Sequence, residues 1–178
     1  MRSIKVLLML AASIRSVNSQ DAPVPPTMTL LYSMEAELGN RFSLGPVPNG
    51  KERFVIPIVG GHFKGPRMSG KFSRRFTINR PSDSHIGKVL NLGADWLLVD
   101  ASGNARPDTR YNIQTEDGTY IYVQTEGPTL KDGRILLRGK FETSMNGTYA
   151  WMNDVVAVGV LNVSGADKVL IDMWQVTP

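Results

Sequence analysis

From Thr27 the chain alternates. Met28, Leu30, Tyr32, Met34, Ala36 and Leu38 fall on one side, and Thr27, Thr29, Ser33, Glu35 and Glu37 on the other. A period of two is that of a strand with one wet face, and helical spacing fits this run less well. Phe54, Ile56 and Ile58 then alternate with Arg53, Val55 and Pro57, and a proline inside the run predicts an edge or a bulge. Between these runs, residues 44–50 (LGPVPNG) read as a turn-rich loop. Residues 89–99 give a third strand. Residues 109–115 and 119–125 form a hairpin about Glu116-Asp117-Gly118, and Lys131-Asp132-Gly133 turns the chain into residues 135–141. Residues 149–163 and 168–176 supply the last two strands.

About eight strands in sequential hairpins, with no amphipathic helix to cover a face, hide their edges most simply by closing on themselves. The sequence therefore predicts an all-β domain: one antiparallel, calycin-like β-barrel over residues 27–178, with a β-sandwich as the rival. A barrel of this size is just wide enough to be filled by side chains or to hold one small ligand. Four glycines, Gly60, Gly61, Gly65 and Gly70, surround His62, Phe63, Lys64, Pro66 and Arg67 directly after an apolar run. Glycines this dense mark tight bends or a close approach to the backbone. A second glycine-led element, Gly93-Ala94-Asp95-Trp96, is expected to meet the first at one end of the barrel.

Those elements carry the candidate chemistry. His62 titrates near neutrality and suits general acid or base work, or is a scaffold group. Asp95 beside Trp96 is either a buried carboxyl with a raised pKa or the acceptor for backbone donors in its turn. Of Arg110 and Tyr111, alternation allows only one to point inward. Tyr149, Trp151 and Asn153 share a face of the strand at 149–163 by period two, making a lumen wall for a flat ligand or a core plug. Tyr120 and Tyr122 read as an outward stripe and Trp174 as core.

Composition narrows the field. Residues 1–19 have a basic head (Arg2, Lys5), an apolar stretch at 6–12 and a small-residue end, the pattern of a secretory signal cleaved near Ser19/Gln20. Residues 20–26 read as a proline-rich leader. Without Arg2, Lys5 and Arg15 the net charge falls from +4 to +1, which removes the sustained basic face that nucleic acid requires. The apolar stretch is too short to span a bilayer. Two sequons, at Asn146 and Asn162, are candidate glycosylation sites in a secreted protein. With no cysteine and only His62 and His85, no metal is expected, and neither a nucleophile elbow nor a phosphate loop is present. Residues 71–87 break the strand rhythm with a basic, serine-rich run between two Gly-Lys pairs. They read as a surface loop, a lid, or translated intron sequence.

The runs IPIVGGHFKGPRMSG at 56–70, Gly93-Ala94-Asp95-Trp96, Asp108-Thr109-Arg110-Tyr111, Thr115-Glu116-Asp117-Gly118 and Tyr149-Ala150-Trp151-Met152-Asn153 resemble the domain-of-unknown-function 3237 family of bacteria and fungi. The resemblance covers residues 27–176 apart from the insertion at 71–87. It implies a calycin-like barrel, favours Arg110 as the inward residue, and with the secretory signal suggests a secreted fungal-type member. The expected function is binding of a small, largely apolar organic molecule. Cofactor-free isomerase, cyclase or lyase chemistry in fungal natural-product biosynthesis would use His62 or Asp95 for proton transfer and Arg110 as polariser. Phe63, Arg67, Trp96, Tyr149, Trp151 and Asn153 would line the site. A non-catalytic carrier or an interaction protein is the alternative, and a homodimer is left open.

Overall fold

The computed structural model describes residues 23–68 and 87–178. The signal reading at 1–19 and nearly all of the insertion at 71–87 lie outside these residues. Eleven strands are described: β1 (Thr27–Leu38), β2 (Phe42–Pro46), β3 (Glu52–Lys64), β4 (Gly87–Asp95), β5 (Leu98–Val99), β6 (Ala105–Arg106), β7 (Asp108–Gln114), β8 (Tyr120–Glu126), β9 (Ile135–Glu142), β10 (Ala157–Val163) and β11 (Lys168–Thr177). The ladder runs β1-β11-β10-β9-β8-β7-β4-β3, and β3 pairs back to β1. Eight antiparallel strands thus close into a barrel, as expected, and closure removes the free edges. The predicted bulge in β3 is present, since its register with β4 slips between Pro57 and His62. Where β3 crosses to β1, Gly61 has φ +130°, and a Cβ there would lie 2.2 Å from the Glu35 carbonyl oxygen. Only glycine permits that approach.

The first half of β3 leaves the barrel wall to pair with β2 and β5, and β5 pairs with β6, forming a small side sheet that alternation did not reveal. Strands of two residues are too short to show a period.

The bore is filled at mid-height. Tyr32, Ile113, Ile121, Val123, Met152 and Met173 have no exposed surface, and Phe63, Tyr111 and Phe141 almost none. Tyr32 packs edge-on against Phe63 at 5.9 Å and Phe141 at 6.2 Å between ring centroids. Each such side chain contributes roughly 1.5–3 kcal/mol by leaving water. At this level the barrel is thus filled by side chains, one of the two alternatives its size allows.

Three readings of side-chain direction also change. A bulge at Leu31, between Leu30 and Tyr32 in the register with β11, reverses the parity of β1. Tyr32, Met34 and Ala36 point inward, but Met28 and Leu30 are exposed on the outer wall. Trp174 pairs with Leu30 on that wall and is not core. Residues 150–154 form a 3-10 helix, Ala150–Asp154, so the strand begins only at Ala157. Tyr149, Trp151 and Asn153 therefore do not share a strand face. The eclipsed pair at i and i+3, Tyr149 and Met152, is the buried one.

Candidate functional site

We call the end where β1 begins the upper rim. There β3 ends, β4 begins, the β7–β8 turn sits, and the 3-10 helix and the end of β11 close the ring. At this rim the Arg67 guanidinium lies 3.7 Å from the centroid of the Trp151 ring. Its Nη1 donates to Gln175 Oε1 at 3.1 Å. Arg67 is exposed, while Trp151 packs partly against the core. Beside them Tyr149 is buried and its hydroxyl donates to the Met68 carbonyl at 3.2 Å. Burial, followed by the nearby Asp117 carboxylate, pushes the Tyr149 phenol up, so it stays a neutral donor. Asn153 is a clamp: its Oδ1 accepts the Thr143 N–H at 2.8 Å and its Nδ2 donates to the Thr143 and Ala150 carbonyls at 3.2 and 3.0 Å. Phe63 is core. His62, its neighbour in β3, is exposed on the outer wall opposite Glu35 of β1 and Lys88 of β4.

The other end, the lower rim, holds the second glycine-led element. Asp95 pairs with Ile56 and Thr109 and is half-buried. Burial raises its pKa, although the Asp108 N–H donates to Oδ1 at 2.9 Å and the Arg53 charge opposes the rise. Burial thus holds the Asp95 proton more tightly than usual, as one reading of the sequence expects, and the backbone donor that Asp95 satisfies is not in its own turn at Gly93 but at Asp108, where β7 begins. Arg53 donates to the Trp96 carbonyl. Arg110 pairs with Asp108 Oδ1 at 2.9 Å, an ion pair without hydrogen-bond geometry, since that buried oxygen has no hydrogen-bond donor. The Arg110 guanidinium also lies 5.8 Å from the Trp96 ring.

Two expectations are corrected by this geometry. The inward member of the Arg110–Tyr111 pair is Tyr111, at 1% exposure, while Arg110 keeps 40% of its side chain exposed. Arg110 therefore reaches Asp108 and Trp96 rather than the bore. Second, the two glycine-led elements do not converge. His62 and Asp95 are aligned with Lys88 and Ile56 on the β3–β4 ladder, six residues apart along β3, or about 20 Å at strand rise. His62, Phe63, Arg67, Tyr149, Trp151 and Asn153 belong to the upper half and Asp95, Trp96 and Arg110 to the lower. Sequence reading missed Gln175, which orients Arg67, and Arg53, the cation in reach of Asp95. Alternation along β11 places Gln175 in phase with the buried Met173, and that signal was available.

Among the described residues no three His, Asp or Glu side chains gather to hold a metal. No described helix is long and apolar enough to cross a membrane. One open groove of about 170 Å³ lies outside the barrel, lined by Gln124, Glu126, Arg138, Gly139 and Lys140. It is smaller than ligand pockets of roughly 300 Å³ and more.

Known proteins share this architecture. A UPF0311 protein of Rhodopseudomonas palustris (strain TIE-1) is 28% identical over 170 residues, covering 85% of this chain and 98% of its own. The crystal structure of a β-barrel-like protein from Acinetobacter baumannii AYE is 30% identical, with a TM-score of 0.69 over 89% of this chain and 100% of that one. That of an enzyme from Penicillium herquei has the same fold at 22% identity, with a TM-score of 0.64 over 88% and 98%. These findings overturn the secreted localisation. The curated relatives matched are bacterial UPF0311 proteins, and the region shared with the family, 26–176, begins after the segment at 1–19 on which secretion rested. Asn146 and Asn162 are both exposed but lose the secretory context in which they were read. The family model "Protein of unknown function (DUF3237)" matches residues 26–176, and the chain belongs to that family.

Proposed function

We propose that the barrel binds a small, largely apolar organic molecule carrying one carboxylate or carbonyl group, held at the upper rim with Arg67 as its polar anchor. The observation that carries this is the guanidinium laid flat on Trp151 at 3.7 Å and steered by Gln175. Stacking and one hydrogen bond fix the plane of a group with five donors, and no carboxylate pairs with it among the described residues. A planar oxyanion matches that fork. Because mid-bore is packed, the apolar part of the ligand lies against the rim, beside Trp151 and the aliphatic stem of Arg67.

A second, catalytic reading rests on Asp95, a carboxyl at the lower rim whose pKa burial raises, with Arg53 in reach. It fits cofactor-free isomerase, cyclase or lyase chemistry by proton transfer, and the fold serves an enzyme in Penicillium herquei. The two readings separate in one experiment. Titration with 1-anilinonaphthalene-8-sulfonate, a flat aromatic anion, should show a saturable site that Arg67→Ala weakens at least about tenfold, the worth of one charged hydrogen bond. Asp95→Asn should leave it unchanged. Equal affinity of wild type and Arg67→Ala removes the binding reading. Incubation with a metabolite extract, followed by mass spectrometry, then reads turnover. Conversion abolished by Asp95→Asn supports catalysis, and conversion indifferent to that change eliminates it.

A further inference from the structure

On the outer wall β1, β11 and β10 lie side by side, and their register aligns outward residues into rows. Leu30 faces Trp174, which faces Val158. One row nearer the upper rim, Met28 faces Val176, whose N–H donates to the Val156 carbonyl at 2.8 Å. One row the other way, Val160 faces Leu136 of β9. Met28 and Val156 are 63% and 66% exposed, and Leu136 and Leu30 are 44% and 39%. These residues make a contiguous apolar stripe running obliquely from Met28 across Trp174 to Leu136, the kind of exposed surface that marks an interaction site. The stripe exists because the Leu31 bulge turns Met28 and Leu30 out of the core.

Its two flanks carry opposite charge. Arg138 stands beside Val158 on β9, with Lys140 next on the same face. Across the stripe stands Asp172, which accepts from Ser33 Oγ at 2.5 Å, with Glu35 beyond it, itself paired with Lys168 Nζ at 2.7 Å. We propose that a second copy of this chain covers the stripe, forming a two-fold dimer with Trp174 at its centre. A two-fold axis lying along the stripe sets the Arg138–Lys140 flank of each copy over the Asp172–Glu35 flank of the other, so one surface is complementary to itself. A central tryptophan ringed by polar groups is the usual anatomy of a stable interface. The intrachain pairs of the basic flank, Arg138 with Glu126 at 3.5 Å and Lys140 with Glu142 at 2.9 Å, are exposed and exchange readily, whereas Glu35 stays with Lys168 at 2.7 Å, so Arg138 and Asp172 carry the contact.

The test is sedimentation velocity on the full chain from about 1 to 100 μM. A dimer that weakens as salt rises is expected, and Val156→Glu should be monomeric with an unaltered thermal transition. Arg138→Glu and Asp172→Lys should each dissociate alone and regain the dimer when mixed, because the mixture restores both charge pairs. A monomer at every concentration, a dimer indifferent to Val156→Glu, or no recovery on mixing overturns the proposal. A photo-crosslinker at position 156 of the full chain should join two chains, and a crosslink within one chain to residues 1–22 would assign the stripe to that segment instead.

Discussion

Phe141→Ala tests whether the barrel is solid at mid-height, on which the placing of any ligand at the rims depends. Phe141 has 2% of its surface exposed and meets Tyr32 edge-on at 6.2 Å, and Tyr32 in turn packs on Phe63. Its neighbours sit on closed strands that cannot collapse without breaking ladder hydrogen bonds, so the vacated space should persist as a cavity. Truncation of a buried phenylalanine costs about 3–5 kcal/mol, of which roughly 0.5–1.5 is the ring pair itself. For a domain of this length each kcal/mol moves the melting temperature by about 2–4 °C, giving a fall of roughly 6–20 °C. Phe141→Leu, which keeps most of the volume, should lose less than about 2 kcal/mol. Urea unfolding measures both. A loss below about 1 kcal/mol for the alanine variant would show that the ring faces empty space, and the rim argument would fail with it.

Two predictions concern titration. Asp95 has a raised pKa, so its protonated form is favoured by folding, and stability is lost as pH rises through the folded pKa. Asp95→Asn keeps an acceptor for the Asp108 N–H without the charge. Its melting temperature should therefore match or exceed wild type at pH 7, with the advantage fading below pH 4, about the unfolded carboxyl pKa; a lower value at pH 7 would show that the carboxylate itself is needed. Burial pushes the Tyr111 phenol up to about 12, and Tyr32 rises for the same reason with Tyr111 adding to it. Absorbance near 295 nm should show Tyr32 and Tyr111 silent up to the alkaline unfolding transition and Tyr149, also buried, titrating late, the stability they confer fading above about pH 10; five phenols titrating together below pH 11 would contradict their burial.

Where the structure followed the sequence, period and turn chemistry agreed. The Asp117-Gly118 turn, the alternation of Ile121 and Val123 against Tyr120, and the Pro57 bulge needed nothing beyond local rules. What failed was parity carried through an irregularity. One extra residue at Leu31 inverts every side chain before it, and nothing in Thr-Leu-Leu-Tyr marks the insertion. Tyr149 to Asn153 mimic strand alternation because aromatic residues at odd positions look alike in a strand and in a 3-10 turn. The merging of two glycine-led elements into one site had a different cause. Each lies near the end of its strand, and β3 and β4 are antiparallel neighbours, so their ends must lie at opposite rims.

Each rim carries a guanidinium near an indole, and comparing the pairs shows why only one is suited to a ligand. Arg110, 5.8 Å from the Trp96 ring, is already neutralised by Asp108 at 2.9 Å. An incoming anion would have to displace a carboxylate whose Oδ1 is buried and has no hydrogen-bond donor to replace it. Uncovering that charge is costly in a site partly shielded from water. Arg67, closer to its ring at 3.7 Å, is bonded to a neutral amide, so a ligand oxyanion adds an ion pair without breaking one. The ring that holds it flat has also removed part of the rotamer entropy that binding would otherwise cost. Removing Asp108 should therefore turn the lower rim into a second anion site: Asp108→Asn is expected to bind 1-anilinonaphthalene-8-sulfonate with a stoichiometry of two where the wild type binds one. A stoichiometry still at one would mean that stacking, and not free charge, decides which arginine a ligand can use.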